Sequence, residues 1–192
     1  MKKSLGANPM SFPSPAWCVG TYDKNGKPNV MTAAYGGICC AKPPCINVCL
    51  RKATYSHGNI MEKRAYTVNI ASERYVTEVD YFGMASGRDV DKFARTGLTP
   101  IKSELVDAPY IEEFPVIVEC KVVEIFELGM HTMFVGEVMD VKANEDVLHE
   151  KTKMPAMESF KPLVFDIGTR AYLGVGNSLG RAYNIGRGLM ES

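Results

Sequence analysis

Short apolar runs alternate with clusters of turn residues along the first part of the chain. Residues 16–22 are rich in strand formers and stop at Asp23-Lys24-Asn25-Gly26, where Asn-Gly is a strong hairpin signal. Residues 28–34 return as the second strand, and Gly36-Gly37 breaks it. After Pro43-Pro44, residues 45–51 alternate, with Ile46, Val48 and Leu50 on one face and Cys45, Asn47 and Cys49 on the other. Residues 65–71 read likewise, with Tyr66, Val68 and Ile70 opposite Thr67 and Asn69. Later, residues 115–128 place Val116, Val118, Cys120 and Val122 inward and Glu119 and Lys121 outward. The doubled pairs Val122-Val123 and Ile125-Phe126 predict bulges. Gly129 turns the chain, and residues 132–141 form a long return strand.

Helical spacing interrupts this pattern. Residues 55–64 read as one short helix with Ser56 near its start. Ser72 is an N-cap candidate, and Val76, Val79, Tyr81, Phe82 and Met84 form a stripe that predicts a helix over residues 73–85. Residues 89–95 predict a second short helix, stopped by Gly97. Long antiparallel strands with bulges and a few short helices predict a mainly β fold with a curled or closed sheet. Propensity alone leaves barrel and sandwich equally open. Residues 172–192 differ, with glycines interspersed among Asn177, Arg181, Tyr183, Asn184 and Arg187. Such a segment has no core of its own and is expected to lie on a surface, this subunit's or a partner's. No repeat or low-complexity linker divides residues 1–192, which read as a single domain.

The chain has 192 residues, 46% apolar and 23% charged, enough for one sizeable core. Its 22 Lys and Arg balance 22 Asp and Glu, which removes the electrostatic case for nucleic acid or an anionic membrane. The basic start lacks a signal-peptide apolar stretch, and no apolar run nears the roughly 18 residues of a membrane span. A soluble, cytoplasmic protein is expected. Four of the six cysteines crowd together as C-C-x4-C-x3-C (Cys39, Cys40, Cys45, Cys49), without metal-liganding pairs and with no histidine nearby before His57. Small buried apolar thiols are the expectation; a redox thiol and a metal-bound set are the alternatives.

Three runs could carry chemistry. In Ser86-Gly87-Arg88-Asp89-Val90-Asp91-Lys92-Phe93, a hydroxyl, a glycine N–H and two cations meet where one helix ends and another begins, as a phosphate requires. Asp89 and Asp91 oppose this, and the same run reads as a capped helix with a solvated charged face. Asn29-Val30-Met31-Thr32-Ala33-Ala34 has small residues that let a flat ring approach, or is simply a hairpin strand. Leu50-Arg51 with Thr54-Tyr55-Ser56 offers a guanidinium fork and hydroxyls, and Arg51 reads equally as half of a surface ion pair. His131 opens a strand as a structural residue, and no Ser-His-Asp or paired-carboxylate arrangement is visible.

In order and spacing these runs resemble the flavin reductase-like, FMN-binding split-barrel family. The family pattern of Ser-Gly, a short acidic gap and Asp-Lys-Phe is present in full. Pro13-Ser14-Pro15, Pro43-Pro44, Glu119-Cys120, His131 and Gly136-Glu137-Val138 also look like family positions, whereas Trp17-Cys18 and Ile38-Cys39-Cys40 are less typical. The resemblance implies a split β-barrel with residues 73–96 as a helical excursion, and FMN near a homodimer boundary. It implies cofactor contacts at Asn29, Met31, Thr32, Ala33, Ala34, Leu50, Arg51, Tyr55, Ser56, Ser86, Gly87 and Lys92, with no metal. The expected activity is electron transfer through bound flavin, to or from a redox partner protein. The alternatives are an NAD(P)H-dependent flavin reductase and a non-catalytic barrel module with a cysteine metal site. No dinucleotide fingerprint separates the first two, because family members meet nicotinamide, if at all, against the exposed flavin face.

Overall fold

The computed structural model describes residues 1–190. In chain order come β1 (Ser14–Pro15), β2 (Trp17–Tyr22), β3 (Pro28–Ala33), β4 (Gly36–Ala41), β5 (Pro44–Arg51), α1 (Tyr55–Lys63) and β6 (Ala65–Ile70). An excursion follows, made of α2 (Val76–Met84), α3 (Lys92–Thr96) and the hairpin of β7 (Pro100–Lys102) and β8 (Pro109–Ile111). The chain then forms β9 (Val116–Leu128), β10 (His131–Ala143), α4 (Met157–Phe160), β11 (Leu163–Asp166) and β12 (Ala171–Gly174). No helix among the described residues is long and apolar enough to cross a membrane.

The main sheet is antiparallel, in the order β3-β2-β6-β9-β10-β5-β4. Its ends approach each other, because β3 and β4, at opposite ends of that order, are joined by only Ala34 and Tyr35. The result is a split barrel. Val19, Val48, Leu50, Tyr66, Val68, Cys120 and Phe134 fill its interior. Tyr66 spans that interior and its hydroxyl donates to the Ile46 carbonyl at 3.1 Å. Gly136 makes room for it, since a Cβ there would lie 2.5 Å from the Tyr66 oxygen.

The outer face of β2, β3, β6 and β9 is also covered. Cys18, Val30 and Ile117 from the strands pack against Val79, Phe82, Phe93, Ile111 and Phe114 of the excursion. Thr67 and Asn69 lie on this face, and their side chains bond the Pro109 carbonyl and the Ile111 N–H of β8. Burial on both faces overturns one expectation. Glu119 does not point to solvent; it is fully buried, and Lys142 pairs with its carboxylate.

Other differences have local causes. The predicted helix over residues 73–85 splits into a 3-10 turn, Glu73–Tyr75, and α2. The next helix starts at Lys92 rather than Asp89, because the Asp91 side chain accepts from Ala94 N–H and caps it. Gly97 ends it with φ 72°. One bulge falls at Val123 as expected, but the second is Met139 in β10, and the Ile125-Phe126 pair stays in register. Gly36-Gly37 does not break the chain: both glycines pair with β5 as the start of β4. Beyond β12 the tail is exposed, with Leu179, Tyr183 and Ile185 facing solvent; the predicted segment ends in residues 191–192, outside the described ones.

Candidate functional site

The start of α1 and the end of α2 face each other across β3. Thr54 caps α1, its hydroxyl accepting from His57 N–H at 3.3 Å. Tyr55 is anchored from the hairpin side, donating to Asp23 at 2.8 Å. That bond raises the Tyr55 pKa, and against the effect of burial the Lys27 and Asn25 N–H groups and Tyr55 hydroxyl hold Asp23 below the usual carboxylate range. Ser56 accepts from the Asn29 amide at 2.8 Å, tying α1 to β3.

The loop after α2 completes the enclosure. Arg88 N–H donates to Ser86 Oγ at 3.2 Å, and the Arg88 guanidinium bonds the Ala53 carbonyl at 2.9 Å, its carbon 5.4 Å from the centre of the Tyr55 ring. Gly87 closes on β3 so tightly that a Cβ would lie 2.0 Å from Asn29 Oδ1 and 2.9 Å from Tyr55 Cδ1. Among the described residues no group bonds the Gly87 N–H. Together these elements enclose a cavity of about 260 Å³ bordered by Asn29, Met31, Tyr55, Ser56, Ser86, Gly87, Arg88 and Lys92. Asn29 is 4% exposed, and its Oδ1 has no hydrogen-bond partner. A buried acceptor without a donor costs free energy that a ligand's N–H or O–H recovers. The Ser86 hydroxyl, Gly87 N–H, Arg88 and the first turn of α1 supply donors suited to an anion. The residues present therefore fit a phosphorylated ligand with donor groups along its length.

Lys92 is a different case. It borders the cavity but is 4% exposed, and its ammonium donates to the Val30 and Phe82 carbonyls, both at 2.8 Å. Phe82 lies in the last turn of α2, where carbonyls lack helical partners, and Val30 lies on a strand at the sheet edge. Lys92 thus ties helix end to strand edge. Burial without a carboxylate partner pulls its pKa down to about 8.

The remaining sequence candidates scatter. Thr32 and Ala34 border an adjoining cavity of about 300 Å³, which shares Gly83 and Met84 with the first and adds Pro15, Asp80, Phe165, Arg170 and Tyr172. The Thr32 hydroxyl itself donates to the Val79 carbonyl of α2. Ala33 and Leu50 are in the barrel core. Arg51 is exposed at the end of β5, paired in register with His131, and does not border either cavity. His57 contacts Thr132 and the edge of Phe134, and burial lowers its pKa. Sequence reasoning missed the lining from the end of α2 and the residue after it, Phe82 to Ala85, which precedes Ser86 directly and was within reach. It also missed Arg170 and Tyr172, which arrive only through the pairing of β1, β11 and β12.

Of the four clustered cysteines only Cys45 is buried as expected, because β4 is an edge strand: Cys39 is exposed and Cys40 and Cys49 are half-buried, while Cys18 and Cys120, outside the cluster, are buried. Among the described residues no three His, Cys, Asp or Glu side chains converge as a metal would require.

Comparison with known proteins points the same way. The flavin reductase like domain model matches residues 10–173. The structure is similar to flavoredoxin of Desulfovibrio vulgaris (Miyazaki F), with 47% identity, a TM-score of 0.92, and coverage of 97% of this chain and 100% of that one. Flavoredoxin from Methanosarcina acetivorans gives 30% identity, a TM-score of 0.92, and coverage of 99% and 100%. A ferric-chelate reductase (NAD(P)H) of Archaeoglobus fulgidus is 29% identical over 55% of this chain and 62% of its own length. The match spans 65% and 54% of two further archaeal relatives.

Proposed function

The chain belongs to the flavin reductase-like domain family, and from that premise we propose that it is a flavoredoxin-like electron-transfer protein holding FMN between β3, α1 and the loop at residues 86–88. The observation that carries this reading is the buried, unpartnered Asn29 oxygen in a cavity otherwise rich in donors. An acceptor suits a ribityl hydroxyl or a ring N–H, and the donors beside it suit a terminal phosphate. When bound, the flavin supplies the electron chemistry. The chain's own groups bind and exclude water: Arg88, Ser86 and Gly87 hold the anionic end, Asn29 and Ser56 orient the chain between, and Met31 and Met84 wall the cavity. FMN has the phosphate this arrangement needs and lacks the second nucleotide of FAD. Free cysteines without a disulfide accord with a cytoplasmic setting.

The working form is a homodimer. Support comes from the tail, whose apolar Leu179, Tyr183 and Ile185 are 93%, 99% and 71% exposed on a single chain. A second subunit would cover them, and truncation after Ile167 is expected to weaken both dimer and flavin binding, read by light scattering and flavin fluorescence. In this reading electrons pass to or from a redox partner protein. A second reading, NAD(P)H-dependent flavin reduction, is favoured by the cavity beside Thr32 and by the ferric-chelate reductase relative. Acid release followed by chromatography is expected to yield mainly FMN; mainly FAD overturns the cofactor reading. Anaerobic titration separates the two activities, since bleaching of the flavin by NADH or NADPH at catalytic rates supports the reductase.

A further inference from the structure

The β4–β5 hairpin carries four thiols that the flavin reading does not use, and three of them, Cys39, Cys40 and Cys45, lie near its turn. Cys40 is the register partner of Cys45, and the register slips by one residue between Ile38 and Cys40. In such a bulge two residues oppose one, so Cys39 and Cys40 together face Cys45. The three are free and graded in exposure: Cys39 is exposed, Cys40 half-buried and Cys45 5% exposed. Residues directly opposed in an antiparallel pair have Cα atoms about 4.5–5.5 Å apart, within the roughly 4.4–6.8 Å that a disulfide spans. β4 is an edge strand, so a small reagent can reach it from outside. Burial, with Cys40 and Cys39 nearby, pushes the Cys45 thiol up, which leaves the more exposed strand to supply the attacking sulfur. Cys18 and Cys120, by contrast, are core thiols pushed up to about 12 by burial.

We propose that Cys40 and Cys45 form a reversible cross-strand dithiol–disulfide site that reacts with low-molecular-mass disulfides. The Cys40 thiolate attacks RS–SR, forming a mixed disulfide and releasing one RS⁻. The Cys45 sulfur then displaces the second RS⁻, and its proton passes to the departing thiolate. Two protein thiols become one disulfide while RS–SR becomes two thiols, and excess thiol reverses both steps. The bond would fix the free edge of the sheet at the end of the hairpin opposite Gly36. The site stands whether or not the flavin reading does.

The test treats the full chain anaerobically with oxidised glutathione, alkylates the remaining thiols and maps the peptides. A Cys40–Cys45 crosslink is expected in the wild-type protein and in Cys39→Ser, with two fewer alkylated thiols per chain and full recovery after dithiothreitol. It is expected to vanish in Cys40→Ser and in Cys45→Ser. Cys40 is half-buried, so Cys40→Ser answers the question even where Cys45→Ser loosens the hairpin. A crosslink that uses Cys39, a glutathione adduct on Cys40 that never closes, or thiols that all stay reduced would overturn the proposal.

Discussion

Ser86, Gly87 and Arg88 are half-buried or exposed and border a cavity, whereas Lys92 and Phe93, barely a helical turn further on, are buried against α2 and β3. Both halves of this short run carry a cation. Arg88 extends along the surface to the Ala53 carbonyl and the Tyr55 ring; Lys92 points inward to two carbonyls. The difference teaches that one motif can serve as binding loop and brace at once. The brace fixes where the loop lies, because Lys92 holds the end of α2 from which that loop departs.

Lys92→Met should show the largest effect. It leaves the Val30 and Phe82 carbonyls without their buried donor, at about 1–3 kcal/mol each, so a loss on the order of 2–5 kcal/mol is expected in urea unfolding. A variant as stable as wild type, with only flavin affinity reduced, would move Lys92 to the binding half. The pH profile sharpens the same point. The Lys92 pKa is lowered from 10.5 to about 8 in the folded chain, so between those values the unfolded chain holds a proton that the folded one has released. Stability therefore rises with pH across that window, on the order of 3 kcal/mol in full, and Lys92→Met should lack that rise.

Gly87→Ala joins the two halves, since the added Cβ collides with Asn29. Forcing the loop off β3 should cost about 1–3 kcal/mol of stability and at least tenfold in flavin affinity, read by parallel unfolding and fluorescence titrations. Arg88→Ala should leave stability within about 0.5 kcal/mol. It should weaken FMN by about 1.5–3 kcal/mol, roughly 10- to 150-fold, while riboflavin, without a phosphate, binds as before. Equal weakening of both flavins would remove Arg88 from the phosphate. Ser86→Ala should show the smallest effect, about 0.5–1.5 kcal/mol in FMN affinity, measured by the same titration.

Much of this arrangement was legible in the chain. The Asn25-Gly26 hairpin, the faces of β5 and β6 and the stop at Gly97 follow from local chemistry, and the structure has them. Asn29, Ser56, Ser86 and Gly87 come from three separated runs and share one cavity. What escaped depends on distant partners. Glu119 reads as an outward residue until the excursion covers its face and Lys142 arrives from β10. Gly36-Gly37 reads as a break because the pairing that makes it a strand lies in β5. Lys92 reads as a free charge because sequence spacing does not tell a helix start in solvent from one driven against a strand edge. Leu50 and Ala33 lie on strands that pass the site but point into the barrel.

The Tyr66 side chain that crosses the barrel and bonds the Ile46 carbonyl leaves no lumen for a ligand. Side chains of Val19, Val48, Leu50, Val68, Cys120 and Phe134 pack around it and fill the interior. The barrel core and the proposed cofactor cavity are therefore separate parts of the molecule. A flavin bound where we propose, on the outside of this barrel, would load in a separate binding step, with an occupied fraction set by its affinity and the free flavin pool.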